Sequence, residues 1–354
     1  MNRLVIGSPD KSALLLQMMA EDFANGFVLI DPTGKLAEAT ADRAPVQNTF
    51  YLDPSDIGHP PGFNVFASVP EDDRHKVAQD IRDFIDALYP QGANTLTRAR
   101  SSYLLLNSLR LLLDNPGSTF LSVSRLLTDI PYRTKYLGHS TDQLILEFWN
   151  VEFASWDKKD RQAAALDVQT KLGELLSSPI IRNIVGQRHS TFTLDRENIV
   201  IANLDRAKLG DQTAFLLGSL LISRSKGTVY INDLGFFASD RLAALLQQDR
   251  FTVACQYLQE LHVKLQQAAL SIENKTVFKT TREDAERLAF YVGVANPGSL
   301  IDLDPQQARI LSGVIEPAAP PSGKRLRPVQ RRSRACFTRP RRKVEKEIKR
   351  SFLA

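Results

Sequence analysis

The sequence predicts an α/β fold, with a mostly parallel sheet that an all-α insertion interrupts. Short apolar runs alternate with helical patterns in the first 65 residues and again after residue 185, as in parallel strands joined by helices. Between them, residues 66–185 carry helical patterns only. The chain has 354 residues, 43% of them hydrophobic, which is enough for two domains or for one large domain with an insertion.

The N-terminal segment predicts a strand, a tight loop and a helix. Leu4–Ile6 is a short apolar run, residues 7–10 are turn formers, and residues 11–24 place their apolar side chains at helical spacing. A second buried strand is predicted at Phe27–Asp31 and a third at Thr49–Leu52. This strand–loop–helix order is the local context of a phosphate-binding loop.

The rest of the chain divides at the helical segment. After it, we predict strands at 198–203, 228–232, 251–255 and 275–279, and helices at 212–224, 240–248, 257–271 and 283–291. We therefore predict four segments: core residues 1–65, an all-α insertion at 66–185, core residues 186–315, and a Pro-containing linker with a basic, disordered tail at 316–354. An apolar residue recurs every fourth position at Val344, Ile348 and Phe352, so a short terminal helix is an alternative for this part of the tail.

The positive charge is concentrated in the tail. Residues 324–350 contain thirteen Lys or Arg against Glu345 and Glu347, whereas the remainder has 32 basic and 38 acidic residues. This asymmetry favours a polyanionic partner such as DNA, and a solvated tail without a specific partner is the alternative. The candidate phosphate contacts are Arg331, Arg332, Arg334, Arg341, Arg342 and Lys343.

Several protein classes are excluded by composition. No apolar run approaches the 18 or so residues that a membrane-spanning helix needs, and the first residues lack the features of a signal peptide. Cys255 and Cys336 give neither a disulfide framework nor a metal-binding spacing. We expect a soluble, cytoplasmic protein without a membrane segment.

The loop after the first strand is an incomplete phosphate-binding motif. Gly7, Lys11 and Ser12 supply the first glycine, the phosphate-binding lysine and the hydroxyl that would contact Mg²⁺. However, Lys11 follows Gly7 by four positions, whereas the motif has six, and Asp10 replaces the glycine before the lysine. A plain strand–turn–helix connection, with Ser8 or Asp10 capping the helix, remains open.

Residues 1–310 resemble the HerA/FtsK superfamily of P-loop ATPases, in the conjugative coupling-protein (TraG/TraD-like) or HerA-like branch. The resemblance rests on phrases that recur in order, namely FVLIDPTGKL at 27–36, YLDP at 51–54, GFNVF at 62–66, GDQ at 210–212 and TREDAE at 281–286. It implies a RecA-like P-loop core, an all-α insertion, assembly into a homo-oligomeric ring and action on DNA. As the chain begins at the first strand, we expect neither the membrane segment nor the N-terminal barrel of these relatives.

The resemblance also assigns roles to residues. Asn232 and Asp233 stand where the family has the Asp and Glu of its metal-binding strand, Gln256 matches a sensor glutamine, and Arg250 matches an arginine that could reach a neighbouring subunit's nucleotide. Asp31 faces the same crevice, with capping of the following turn as its alternative role. Ser12 and Asp233 are the candidate metal ligands, while Asp233, Gln256 and Arg250 are the candidate catalytic residues.

Two functional hypotheses follow. The first is a degenerate DNA-translocase-like ATPase that acts in conjugation or a related mobile-element process, alongside secretion or mobile-element proteins, with hydrolysis weak or lost. Its cofactors would be ATP and Mg²⁺ if the altered site still binds nucleotide, and otherwise none. The second is a non-catalytic scaffold whose basic tail binds nucleic acid or an acidic partner. A decayed copy without activity is a third reading.

Overall fold

The computed structural model describes residues 1–8, 11–90, 95–317 and 323–353. Within these ranges the strands are β1 Arg3–Ile6, β2 Phe27–Asp31, β3 Thr49–Leu52, β4 Ile199–Asn203, β5 Thr228–Ile231, β6 Phe251–Cys255, β7 Asn274–Phe278, β8 Ala308–Ile310 and β9 Gly313–Ile315. The helices, in chain order, are α1 Ser12–Glu21, α2 Lys35–Ala41, α3 Arg74–Leu88, α4 Thr95–Leu113, α5 Leu121–Thr128, α6 Ile130–Leu137, α7 Gln143–Glu147, α8 Phe153–Ser155, α9 Lys158–Ser177, α10 Pro179–Val185, α11 Arg206–Leu209, α12 Asp211–Arg224, α13 Asp240–Leu245, α14 Val263–Leu270, α15 Arg282–Leu288, α16 Gly298–Ile301, α17 Leu326–Phe337 and α18 Arg341–Leu353.

The chain divides into two compact units. The core unit consists of Met1–Asp53 and Thr193–Cys336, and the helical unit consists of Pro54–Phe192 and Phe337–Ala354. The predicted insertion, residues 66–185, lies within the helical unit, where the described residues contain helices and no strand. Among the residues that the structure describes, no helix is both long and apolar enough to cross a membrane.

All nine strands belong to one sheet of the core unit. Their order is β3-β4-β2-β5-β6-β1-β7-β8-β9, with parallel pairing from β3 to β7 and antiparallel pairing for β8 and β9. The mostly parallel α/β sheet is therefore confirmed. Sequence analysis did not predict β8 and β9, because each has only three residues and most of these are not buried.

Burial explains why β1 lies in the interior of the sheet. Leu4, Val5 and Ile6 are fully buried, as are Leu29 and Ile30 of β2. Parallel strands that helices cover on both faces need such continuous apolar runs, since neither face meets water.

The prediction of a disordered basic tail is wrong for the residues that the structure describes. α17 and α18 occupy most of it, with Val329, Ser333, Val344 and Ile348 buried. In the core unit, the Ser333 hydroxyl accepts a hydrogen bond of 2.8 Å from the backbone N–H of Tyr51, on edge strand β3. The apolar and hydroxyl side chains pack inwards while most of the basic ones are exposed, so the overall charge of the segment concealed its amphipathic pattern.

Candidate functional site

The candidate site lies at the carboxyl edge of the core sheet, where open α/β sheets commonly bind ligands. Strands β5, β6 and β1 are adjacent and parallel, so the loops that follow them emerge at the same edge. These loops begin with Asn232 and Asp233 after β5, Gln256 after β6, and Gly7 after β1. The topology therefore brings together most of the residues that the sequence indicated.

Only glycine fits the first position of the β1–α1 loop. Gly7 has φ +113°, and a Cβ there would lie 2.8 Å from the carbonyl oxygens of Phe278 and Lys279. The loop is held in place as the Gly7 N–H donates to the Cys255 carbonyl at 3.3 Å and the Ser8 N–H to the Lys279 carbonyl at 2.8 Å. Its start is therefore a close-fitting backbone turn against the ends of β6 and β7.

Lys11 closes this loop on itself. Its Nζ donates a hydrogen bond of 2.8 Å to the Gly7 carbonyl, and its backbone occupies the N-cap position of α1 without a side-chain cap. Ser12 is the first residue of α1. Pro9 and Asp10, which include the predicted replacement of a motif glycine, lie outside the described residues. The lysine and the start of α1 are thus adjacent, as phosphate binding requires.

Asp31 acts as a capping residue, the alternative role that the sequence left open. It is fully buried at the end of β2. One oxygen accepts from the Thr33 N–H at 3.0 Å and the Thr33 hydroxyl at 2.7 Å, and the other accepts from the Ala37 N–H of α2 at 2.8 Å. Because Asn232 also donates to it, this carboxylate has four donors, about as many as its lone pairs accommodate.

Asn232 is oriented by Asp31. Its Nδ2 donates to the Asp31 Oδ1 at 2.9 Å, and its backbone N–H donates to the Ile30 carbonyl at 3.0 Å. An aspartate at this position would place a second carboxylate at hydrogen-bonding distance from a buried one, which is electrostatically unfavourable. The structure therefore gives a local reason for an amide at the first position after β5.

Asp233 has a left-handed backbone conformation, with φ 60° and ψ 66°. Its Oδ2 lies 3.5 Å from an Nη of Arg206, a residue that sequence analysis did not identify. The guanidinium of Arg206 also contacts the Asp211 carboxylate at 3.2 Å and lies 4.5 Å from the ring centroid of Phe236. Arg206 is an exposed residue at the start of a four-residue helix after β4, and only the folded sheet brings it next to the residue after β5.

Gln256 reaches the loop that holds Lys11. Its Nε2 lies 3.3 Å from the Ser8 hydroxyl and 3.0 Å from the Tyr257 hydroxyl. The turn that carries Gln256 is held by a second residue outside the predicted site, Asp284 of α15, whose carboxylate accepts the Leu258 N–H at 2.9 Å. Burial raises the pKa of Asp284. The TREDAE phrase was the only sequence signal for this residue.

Arg250 lies away from these residues. It precedes β6, at the amino edge of the sheet, whereas the loop with Lys11 follows β1 at the carboxyl edge. Its guanidinium donates to the Ser225 carbonyl at 2.7 Å and to Gln248 at 2.9 Å, and it lies 4.6 Å from the ring centroid of Phe251. Within the core unit, the contacts of Arg250 therefore stabilise the start of β6. Its predicted role towards a nucleotide in a second subunit stays a prediction.

The predicted nucleic-acid contacts are divided between the two units. Arg331 and Arg334 are exposed on α17 in the core unit, and Arg342 and Lys343 are exposed on α18 in the helical unit. The other two are less accessible, since Arg332 donates to the Thr49 carbonyl at 3.4 Å and Arg341 pairs with Glu345 at 2.6 Å. Of the six predicted residues, the exposed Arg331, Arg334, Arg342 and Lys343 remain the best candidates for phosphate contact.

The donor set is a poor fit for Mg²⁺. In the described part of the chain, no three His, Cys, Asp or Glu side chains come together in a metal-binding arrangement. Of the carboxylates near the loop, Asp31 already has four donors and Asp233 is paired with Arg206. A nucleotide-bound Mg²⁺ needs only one or two protein oxygens beside phosphate and water, but the carboxylate expected to supply one here, Asp233, is paired with a cation.

Comparisons with known proteins support the fold assignment. No protein-family model and no curated protein sequence matches the chain. Among solved structures, the plasmid coupling protein TrwB in complex with ADP and Mg²⁺ is 13% identical, with a TM-score of 0.61 over 92% of this chain and 87% of that one. VirB4 of Thermoanaerobacter pseudethanolicus is 12% identical, with a TM-score of 0.59 over 91% and 89%.

These similarities confirm the RecA-like P-loop core. They also confirm, at the level of fold, the resemblance to coupling proteins that the sequence phrases indicated. A further TrwB structure, in complex with a non-hydrolysable ATP analogue, is 14% identical, with a TM-score of 0.60 over 92% of this chain and 86% of that one. At such low identity the likeness concerns the fold.

Proposed function

We propose that this chain is a coupling-protein-like ATPase homologue that binds ATP at Lys11 and Ser12 and acts on DNA in conjugative transfer or a related mobile-element process. The observation that carries the proposal is the β1–Gly7–Lys11–α1 unit at the carboxyl edge of a parallel sheet. The chain is similar in fold to a coupling protein that was solved with ADP and Mg²⁺. We further propose a cytoplasmic location and a homo-oligomeric ring.

In this proposal, a nucleotide phosphate replaces the Gly7 carbonyl as the hydrogen-bond acceptor of Lys11. The Lys11 Nζ would exchange its bond to the Gly7 carbonyl for phosphate oxygens, and the first N–H groups of α1 would contribute positive potential. Gln256 touches Ser8, so it is the side chain best placed to orient a water near the terminal phosphate.

Hydrolysis is expected to be weak or lost. A free carboxylate beside the attacking water would speed hydrolysis by polarising it, but the candidate after β5, Asp233, is paired with Arg206. Asn232 carries no charge and directs its amino group to Asp31. Phosphoryl transfer depends on electrostatic stabilisation of developing charge, so loss of both carboxylate functions lowers turnover steeply.

Calorimetric titration of ATP–Mg²⁺ tests the proposal. We expect binding tighter than roughly 100 µM for the wild type and its loss in Lys11→Ala. Lys264→Ala is the matched control, as Lys264 is an exposed lysine paired with Asp240. Absence of binding up to roughly 1 mM in the wild type, which means less than about 4 kcal/mol of affinity, contradicts the proposal. It would favour the alternative of a non-catalytic scaffold that uses its basic helices.

A further inference from the structure

We infer that Arg206, rather than a divalent cation, is the positive partner of the Asp233 carboxylate, so that this chain binds nucleotide without needing Mg²⁺. The inference rests on the proposed nucleotide site. It starts from the poor fit between the residues after β2 and β5 and a magnesium ion.

The carboxylates of Asp31 after β2 and Asp233 after β5 both already have partners within the protein. Asp31 accepts four hydrogen bonds, one of them from the amide of Asn232, which stands where the family has a carboxylate. Asp233 remains, and its left-handed backbone directs its carboxylate to the Arg206 guanidinium. Aspartate tolerates this conformation better than most residues, yet a non-glycine residue with positive φ is uncommon and often marks a functional site.

Arg206 is itself held in position. Its backbone N–H donates to the Pro32 carbonyl at 3.1 Å, which fixes the start of α11 beside the turn that follows β2. Its guanidinium lies over the Phe236 ring and bridges Asp211 and Asp233. An arginine stacked on an aromatic ring and bridging two carboxylates loses little conformational entropy when it makes each contact.

Beside Asp233, the Arg206 guanidinium supplies the positive charge that a metal ion would otherwise supply. Its positive charge neutralises the carboxylate that would otherwise repel nucleotide phosphates. A divalent cation at the same carboxylate would have to displace Arg206 and would then lie next to a fixed positive charge. Lys11 and the start of α1 remain to balance the phosphate charge.

The first experiment measures ADP affinity by calorimetry in excess Mg²⁺ and in excess EDTA. We expect the wild-type affinity to differ by less than about twofold between the two conditions. Arg206→Ala exposes two carboxylates, so its affinity should fall by at least about tenfold in EDTA relative to Mg²⁺. Arg206→Lys keeps the charge but cannot bridge both carboxylates, so its affinity in EDTA should lie between those of the wild type and Arg206→Ala. Arg100→Ala is the matched control, because Arg100 also pairs with an aspartate, Asp160, and lies over an aromatic ring.

The second experiment titrates Mn²⁺ alone and follows it by electron paramagnetic resonance, without nucleotide. Arg206→Ala should bind Mn²⁺ at least about tenfold more tightly than the wild type and the Arg100→Ala control. Equal Mn²⁺ binding in all three, or wild-type ADP affinity that collapses in EDTA, overturns the inference. If no variant binds ADP, the proposed function fails, and the Mn²⁺ titration still decides what Arg206 does to Asp233.

Discussion

The side-chain amide of Asn232 donates a 2.9 Å hydrogen bond to the buried carboxylate of Asp31. This bond links the last residue of β2 to the residue after the adjacent strand β5. It completes the set of donors around a carboxylate that also fixes the turn after β2 and the start of α2. The neutral amide of Asn232 thus donates to Asp31 from the position where the sequence resemblance expects a metal-facing carboxylate.

Asn232→Asp should therefore destabilise the protein at neutral pH. A second carboxylate beside Asp31 repels it and removes its fourth donor, and we expect a loss of about 1–3 kcal/mol in the free energy of unfolding. Urea unfolding at neutral pH measures this, with Asn296→Asp as control, since Asn296 is exposed and uses its side-chain oxygen as an acceptor.

Gly7→Ala should disrupt the β1–α1 loop. The new methyl group would lie 2.8 Å from two carbonyl oxygens, at a backbone φ of +113° that alanine rarely adopts. We expect a loss of at least about 1–2 kcal/mol in the free energy of unfolding, together with loss of nucleotide binding.

Gly117→Ala separates the two causes. Gly117 also has a positive φ, of +81°, but a Cβ there would meet nothing within 4 Å. It should cost less stability and leave nucleotide binding intact. Thermal unfolding and ADP titration of both variants provide the comparison, and similar effects from both would argue against a special role for the close fit at Gly7.

Asp284→Asn should raise stability near neutral pH. Burial raises the pKa of Asp284, and Oδ1 has no hydrogen-bond partner in the part of the chain that the structure describes. The folded state therefore holds the proton more tightly than the unfolded chain, and the wild type loses stability as pH rises from the ordinary carboxyl value through the raised one. Asparagine can still accept the Leu258 N–H without carrying a buried charge, so it avoids this loss.

The melting temperatures of Asp284→Asn and the wild type should converge as the pH falls below the ordinary carboxyl range. Asp240→Asn is a control of opposite sign, because a hydrogen bond from Lys264 lowers the pKa of Asp240. That variant should be less stable than the wild type at neutral pH, with the difference lost on acidification. A pH-independent effect of Asp284→Asn would indicate a packing change rather than removal of a buried charge.

The exposed arginines of α17 should contribute to DNA affinity if the basic helices contact phosphate. Arg331→Gln/Arg334→Gln should weaken binding and reduce the slope of log K against log salt by up to about 2, roughly one for each lost phosphate contact. Lys226→Gln, which removes a lysine paired with Asp195, should change neither.

Point substitutions are preferable to deletion of the tail. Removal of α17 would expose the edge of β3, whose Tyr51 N–H is bound by Ser333, and would take away the buried Val329. An unchanged salt slope in the double variant would contradict phosphate contact by this helix. The same substitution of Arg342 and Lys343 then tests α18 separately.

The sequence by itself determined the seven parallel strands and the helical character of residues 66–185. Continuous apolar runs such as Leu4–Ile6 and Phe27–Asp31 mark strands that are buried on both faces, and the local pattern suffices to find them. The sequence also placed Gly7, Lys11, Asp233 and Gln256 after their strands, and a parallel sheet brings such positions to one edge. It could not identify β8 and β9, which are too short to carry a pattern.

Only the tertiary structure decided how the polar residues pair. Arg206 and Asp233 are 27 positions apart in sequence and follow different strands, so no local signal links them. Likewise, the helices of the basic segment after residue 324 have distant partners: Ser333 of α17 bonds to Tyr51 of β3, and Val344 and Ile348 of α18 pack with Leu121. Periodicity along a chain records which faces are apolar, whereas hydrogen bonds and ion pairs between distant residues depend on distances that exist only after the sheet has formed.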